Sequence, residues 1–127
     1  MKPIEQEVGH IFANQLTRDT NAKQMRDRAP MLSDVSVRIQ DMDRMGVDIQ
    51  AVSPAPFQYY YFAEPAFGAE LARDVNEGMA KLVAQHPDRL IGLGTVPLQD
   101  PQLAVKELKH AIKNLGLRGI EINTHVN

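Results

Sequence analysis

The chain has 127 residues, 43% of them hydrophobic, which suffices for one domain with a real core and is too short for two comfortable ones. Its 14 Lys and Arg against 16 Asp and Glu give no electrostatic reason to bind nucleic acid or an anionic membrane, so neither is expected as a partner. Because cysteine is absent, a disulfide framework and a thiolate metal site are both excluded, and any metal would need His, Asp or Glu.

The opening "MKPIEQEVGHIF" carries a lone Lys and lacks the apolar run of a signal peptide. No later stretch approaches a membrane span, so a cytoplasmic protein is expected. A short helix is predicted near Val8 to Leu16, followed by loop, because "QLTRDTNAKQMRDRAPMLSD" is polar, charge-mixed and broken at Pro30. From Asp34 the pattern sharpens: Val35, Ile39 and Met42 recur at helical spacing, and Gly46 suits a helix C-terminus. Asp41 and Asp43, with Arg38 and Arg44, read as its solvated face.

"VDIQAVSPAP" predicts a buried strand over Val47 to Ser53, ended by two prolines that cannot donate to a ladder. An aromatic loop, "FQYYYFAE", leads to a helix starting at Pro65, with Leu71, Val75, Met79, Leu82 and Val83 as its apolar stripe until "HPDR". Gly68 and Gly78 within it point to close packing or weaker local order. "LIGLGTV" is the next strand, closed by Pro97. Asp100 then caps a helix whose first position is Pro101 and whose face is Ala104, Leu108, Ala111, Ile112 and Leu115. Gly116 ends that helix, and "RGIEIN" begins a third strand.

The expected order is αβαβαβ. Strands joined by single helices lie parallel, so the fold class is α/β, either a doubly wound sheet or part of a β/α barrel. A full barrel needs eight strands and roughly 250 residues, about twice this chain. No linker or repeat divides the sequence, so residues 1–127 are taken as one partial domain, with 1–24 a divergent N-terminal segment.

"RIQDMDRMGVDIQAVS", "HPDRLIGLGTVPLQDPQLAVKEL" and "LGLRGIEINTHVN", in that order and spacing, together resemble the amidohydrolase-2 family from about Met25 to Asn127. The resemblance implies part of a metal-dependent (β/α)8 TIM-barrel-like fold, here an incomplete barrel. It also implies one divalent cation, usually zinc, that assists non-oxidative decarboxylation of an unsaturated or aromatic carboxylic acid, while some relatives hydrolyse instead. Such chemistry needs several imidazoles and a carboxylate around a cation with one position open.

The family draws its first ligands from a His-x-His on the first strand and others from strands later than those found here. His10 lacks a second His two positions away, and His86, His110 and His125 match neither a helical pair nor an x-separated strand pair. No metal ligand and no catalytic residue is therefore assigned, and no cofactor is expected in this chain, zinc belonging to the full-length family.

The substrate-binding candidates are Arg26, Tyr59, Tyr60 and His125. By the resemblance, Arg26 aligns with an arginine that grips the substrate carboxylate, a task suited to a guanidinium; otherwise it is an exposed structural arginine. Tyr59 and Tyr60, with Tyr61, Phe57 and Phe62, either line a pocket for a planar acid or form core. His125 follows the third strand where the family often keeps a site histidine, and the alternative is a hydrogen-bonding loop residue. Ser53 lacks the G-x-S-x-G elbow and a positioned base, so it is no nucleophile. Gln99 either completes the turn before Asp100 or faces the site.

Two functions remain: an inert piece or shortened product of a metal-dependent decarboxylase, whose partner would be a small carboxylic acid, or a non-catalytic α/β binding or assembly protein. Open sheet edges make a homo-oligomer the expected state in either case.

Overall fold

The computed structural model describes residues 14–124, so His125, His10 and most of the helix predicted over Val8 to Leu16 lie outside the described residues. The chain divides into two units, one ending at Gly46 and the other beginning at Val47, and each is described by itself.

In the first unit, α1 spans Gln15–Ser33 and α2 spans Val35–Met45. The loop expected after Leu16 is thus a helix of 19 residues. None of its residues is buried, so no apolar stripe marks it in the sequence. Local polar pairing supports it instead: Asn14 caps the Thr17 amide at 2.9 Å, and Gln15 donates to Asp19 at 2.8 Å, one turn on. Pro30 sits inside this helix and removes one amide without ending it, since the Pro30 carbonyl still accepts from Asp34 at 2.9 Å.

α2 follows the sequence closely. The Asp34 carboxylate takes the Ser36 hydroxyl at 2.6 Å and the Ser36 and Val37 amides. Those bonds, the Ser36 hydroxyl foremost, hold its carboxyl below the usual range. Val35 and Met42 are buried, Arg44 pairs with Asp41 at 2.9 Å, and Gly46 closes the helix at φ 68°.

The second unit is β1 (Gln50–Val52), a 3₁₀ turn (Pro56–Gln58), α3 (Pro65–Val83), β2 (Leu90–Gly94), α4 (Pro101–Lys113) and β3 (Gly119–Ile120). The strands form one parallel sheet in the order β1-β2-β3, with Gln50 opposite Leu90 and Leu93 opposite Gly119. Glu64 caps α3 and Asp100 caps α4, the latter taking the Gln102 and Leu103 amides at 2.8 and 2.9 Å.

All three strands are shorter than predicted, and at β1 and β2 side chains replace ladder partners. Arg89 donates to the Asp48 and Val47 carbonyls at 2.8 and 3.1 Å, so those carbonyls bond a guanidinium rather than a neighbouring strand. Thr95 leaves β2 because the Asn76 amide binds its backbone. β3 is extended by single bonds, Arg118 N–H to Gly92 and Glu121 N–H to Gly94 at 2.9 and 2.8 Å.

Alternation assigns the two faces of the sheet. A side chain at Gly92 would meet Leu117 at 2.7 Å, Val83 at 3.1 Å and Met79 at 3.2 Å, so the Leu90-Gly92-Gly94 face packs under α3 and the segment after α4. A side chain at Gly119 would instead meet Leu93 at 3.4 Å, on the opposite face. Within α3 the fully buried positions are Gly68, Ala72 and Asn76, whereas the predicted stripe of Leu71, Val75, Met79, Leu82 and Val83 is half-buried. Gly68 does mark close packing, against the Gln99 side chain, but nothing lies near Gly78.

Candidate functional site

Parallel strands present all their carboxyl ends on one side, where the loops of β/α proteins gather reactive groups. Here those loops are the aromatic segment after β1, residues 95–99 after β2 and residues 121–124 after β3.

A buried polar clamp fixes the middle loop. Asn76 is fully buried on α3; its amide nitrogen donates to the Thr95 carbonyl at 2.8 Å, and its oxygen accepts from the Thr95 amide at 2.7 Å. The same nitrogen donates to Glu107 of α4 at 2.9 Å. Glu107 is 3% exposed and receives Arg73 through Nε and Nη2, each at 2.8 Å. A buried carboxylate is tolerable only with such partners, so two helices and the end of β2 are locked together through one ion pair and one amide. Gln99 ties the next loop in, its amide nitrogen reaching the Tyr60 and Ala63 carbonyls at 3.4 and 3.3 Å.

The aromatic loop divides by burial. Tyr59 is 3% exposed and stacks on Tyr61 with centroids 5.7 Å apart, while Tyr60 is half-buried, edge-on to Phe62 at 6.2 Å and held at φ 51°. The Tyr59 hydroxyl points toward the Pro54 carbonyl at 3.5 Å and faces the Glu121 carboxylate. Burial pushes its pKa up to about 12, and the charge of Glu121 adds to the shift, so Tyr59 is a proton donor at neutral pH. Three buried polar atoms here lack a protein partner: Tyr61 Oη, Thr95 Oγ1 and Gln99 Oε1.

A raised phenol pKa favours the folded state while the phenol is protonated. That contribution is complete below about pH 10, the unfolded value, and is lost as pH rises through about 12. Denaturant melts between pH 9 and 12 should therefore show stability falling in the wild type and falling less in Tyr59→Phe; equal slopes would remove the Tyr59 contribution.

Of the residues singled out from sequence, Tyr59 and Tyr60 lie on this loop. Arg26 is exposed on α1 in the other unit, and Ser53 is exposed at the end of β1. Asn76, Glu107 and Glu121 were missed. The first two leave a trace, as polar residues interrupting small-residue rows: Gly68-Ala72-Asn76 and Ala104-Glu107-Ala111. Glu121 leaves none beyond its place after a short strand. His110 is on α4, where Nε2 is buried without a partner beside a shallow groove of about 530 Å³ flanked by Lys106, Lys109 and Lys113.

A three-stranded parallel sheet with helices between strands, its polar groups concentrated at the strands' carboxyl ends, defines a β/α protein of the barrel or doubly wound class. The chain belongs to the amidohydrolase family, whose model, Amidohydro_2, matches residues 9–127. It is 42% identical over 94 residues to the 2-amino-3-carboxymuconate-6-semialdehyde decarboxylase of Dictyostelium discoideum, a match covering 74% of this chain and 26% of that protein.

Two solved structures share the fold. The 5-carboxyvanillate decarboxylase of Sphingomonas paucimobilis matches with TM-score 0.66 and 38% identity over 71% of this chain and 27% of its own. A dihydroxybenzoic acid decarboxylase from Polaromonas, with bound manganese and 2-nitroresorcinol, matches with TM-score 0.66 and 29% identity over 82% and 35%. The chain thus spans between about a quarter and a third of the length of these relatives, and its sheet is part of a (β/α)8 barrel fold.

The metal named for the Polaromonas enzyme is manganese rather than the zinc that the family resemblance suggests. Among the described residues no group of three or more His, Cys, Asp or Glu could hold a metal, so these residues do not fit such a centre. Among the same residues, no helix is long and apolar enough to cross a membrane.

Proposed function

We propose that this chain forms the substrate-side part of a metal-dependent decarboxylase acting on an unsaturated or aromatic carboxylic acid, with a divalent cation, zinc or manganese, held by residues other than those described. The observation that supports this most is the concentration of aromatic and polar side chains at the carboxyl ends of the three strands, in a chain related to several decarboxylases of such acids. In the Val47-onward unit, Tyr60 and His125 are the residues proposed to touch the acid, and the buried Tyr59 is proposed to hold the loop behind them. Exposed Val105, Leu108 and Ile112 along α4 support self-association, homo-oligomer formation being part of the same reading.

The test is a segment exchange. Residues 25–124 replace the matching segment of the Dictyostelium decarboxylase, and release of CO2 is followed with 2-amino-3-carboxymuconate-6-semialdehyde and with 2,6-dihydroxybenzoate. A chimera that decarboxylates either acid is expected, and a folded, metal-loaded chimera inert toward both would sink the proposal. The unmodified chain should hold well under one manganese or zinc per polypeptide by elemental analysis; stoichiometric metal with turnover would contradict the assignment of its ligands.

A further inference from the structure

Glu121 stands at the carboxyl end of β3, and nothing in the clamp below it uses its carboxylate. Its backbone is fixed, because Glu121 N–H donates to Gly94 at 2.8 Å and so continues the register of β3 on β2. Alternation from Gly119 places its side chain on the face shared with Leu93, away from α3 and α4. There it faces the Tyr59 phenol, and Tyr59 is in turn held by stacking on Tyr61.

Next to it the chain turns out of β2 at Thr95, which is fully buried with its Oγ1 unpartnered, and Tyr61 Oη is likewise without a partner. A buried hydroxyl without a partner is costly, so polar atoms left open beside an exposed carboxylate mark a place where a ligand's polar groups complete the set.

We infer that Glu121, oriented by Tyr59, is a specificity-determining residue that accepts a hydrogen bond from a hydroxyl or amino substituent of the acid substrate and repels a second carboxylate turned toward it. The inference rests on the proposed decarboxylase reading and adds the substituent that the site selects. A carboxylate has only acceptors, so it rewards a ligand O–H or N–H and penalises a like charge. The Tyr59 phenol beside it limits where the carboxylate can move and leaves its lone pairs for the ligand.

The probes are 2,6-dihydroxybenzoate and isophthalate, which share the ring and one carboxylate but differ in carrying hydroxyl donors or a second carboxylate. Calorimetric titration of the full chain should show 2,6-dihydroxybenzoate binding about tenfold tighter than isophthalate, the size of effect a nearby like charge produces in partly exposed surroundings. Glu121→Gln keeps size and loses charge, so it should bring the two affinities to within about threefold, mainly by tightening isophthalate. Tyr59→Phe leaves the charge in place but removes the group that orients it, so discrimination should fall to an intermediate ratio, between about threefold and tenfold.

A ratio unchanged in Glu121→Gln, or unchanged in Tyr59→Phe, would overturn the inference while leaving the acid-binding reading intact. Binding of neither acid to the wild-type chain would overturn it as well, and the segment exchange then decides the decarboxylase reading separately. Far-UV circular dichroism establishes that each variant is folded; should Glu121→Gln not fold, Glu121→Ala, which also removes the charge at an exposed position, gives the same ratio test.

Discussion

Asn76→Ala should lower the stability of the Val47-onward unit by about 3 kcal/mol and its melting temperature by roughly 15 °C, among the largest effects any single truncation has here. The reason is geometric. One side-chain amide satisfies both backbone groups of Thr95 and one oxygen of Glu107, all of them buried. Alanine leaves the Thr95 amide and carbonyl without partners, at about 1–3 kcal/mol for each buried orphan, and adds a small cavity. Asn76→Asp separates hydrogen bonding from volume. It has nearly the same shape, but when ionised it cannot donate to Thr95 or Glu107, and it sets two carboxyl groups together in a buried place. It should therefore be no better than the alanine variant at neutral pH. Denaturant unfolding of the three proteins is the measurement, with hydrogen exchange at the Thr95 amide as its local readout. An aspartate variant as stable as the wild type would show that Asn76 merely fills space.

The same clamp explains what the sequence revealed and what it hid. α4 was legible at both ends because its signals are local: Asp100 caps, Pro101 takes the first position, and Gly116 adopts φ 71° just past the end. α2 was legible for the same reason. α1 was hidden, because a helix with no buried residue carries no apolar period, and Pro30 argues against it locally. Strand lengths were overestimated wherever an arginine or asparagine side chain took over a backbone partner. Such substitutions join residues far apart, Arg89 with Val47 and Asn76 with Thr95, and no window of neighbouring residues contains them.

The site was legible in kind but not in detail. The tyrosine run announced an aromatic loop, yet which ring is buried depends on how the loop folds back. Tyr59 is enclosed and Tyr60 is not, an assignment set by the positive φ at Tyr60 and by Gln99 holding the Tyr60 and Ala63 carbonyls. Glu121 becomes meaningful only through parallel register, which brings the end of β3 beside the end of β2. Family resemblance supplied the barrel and the type of reaction, but it could not single out a carboxylate whose role comes from its neighbours.

Gly94→Ala should destabilise by about 2–3 kcal/mol, although a single methyl group is added. A β-carbon there would overlap the Asn76 amide oxygen, with Leu117 at 2.8 Å and the Asn76 Cγ at 3.0 Å. Overlap is cheap when the neighbour can swing away, and here it cannot: Asn76 is held by Thr95 on one side and Glu107 on the other, with Arg73 behind. The alanine therefore breaks the clamp or displaces the end of β2. This reasoning predicts strong non-additivity. In Asn76→Ala the obstructing amide is gone and only the end of the Leu117 side chain must shift, so Gly94→Ala in that background should cost at least about 1 kcal/mol less, a coupling between residues in contact. The four proteins of the cycle, unfolded in denaturant under one set of conditions, measure that coupling directly. If the two substitutions simply add, the close approach of β2 to α3 is accommodated elsewhere, and the clamp does not dictate the glycine.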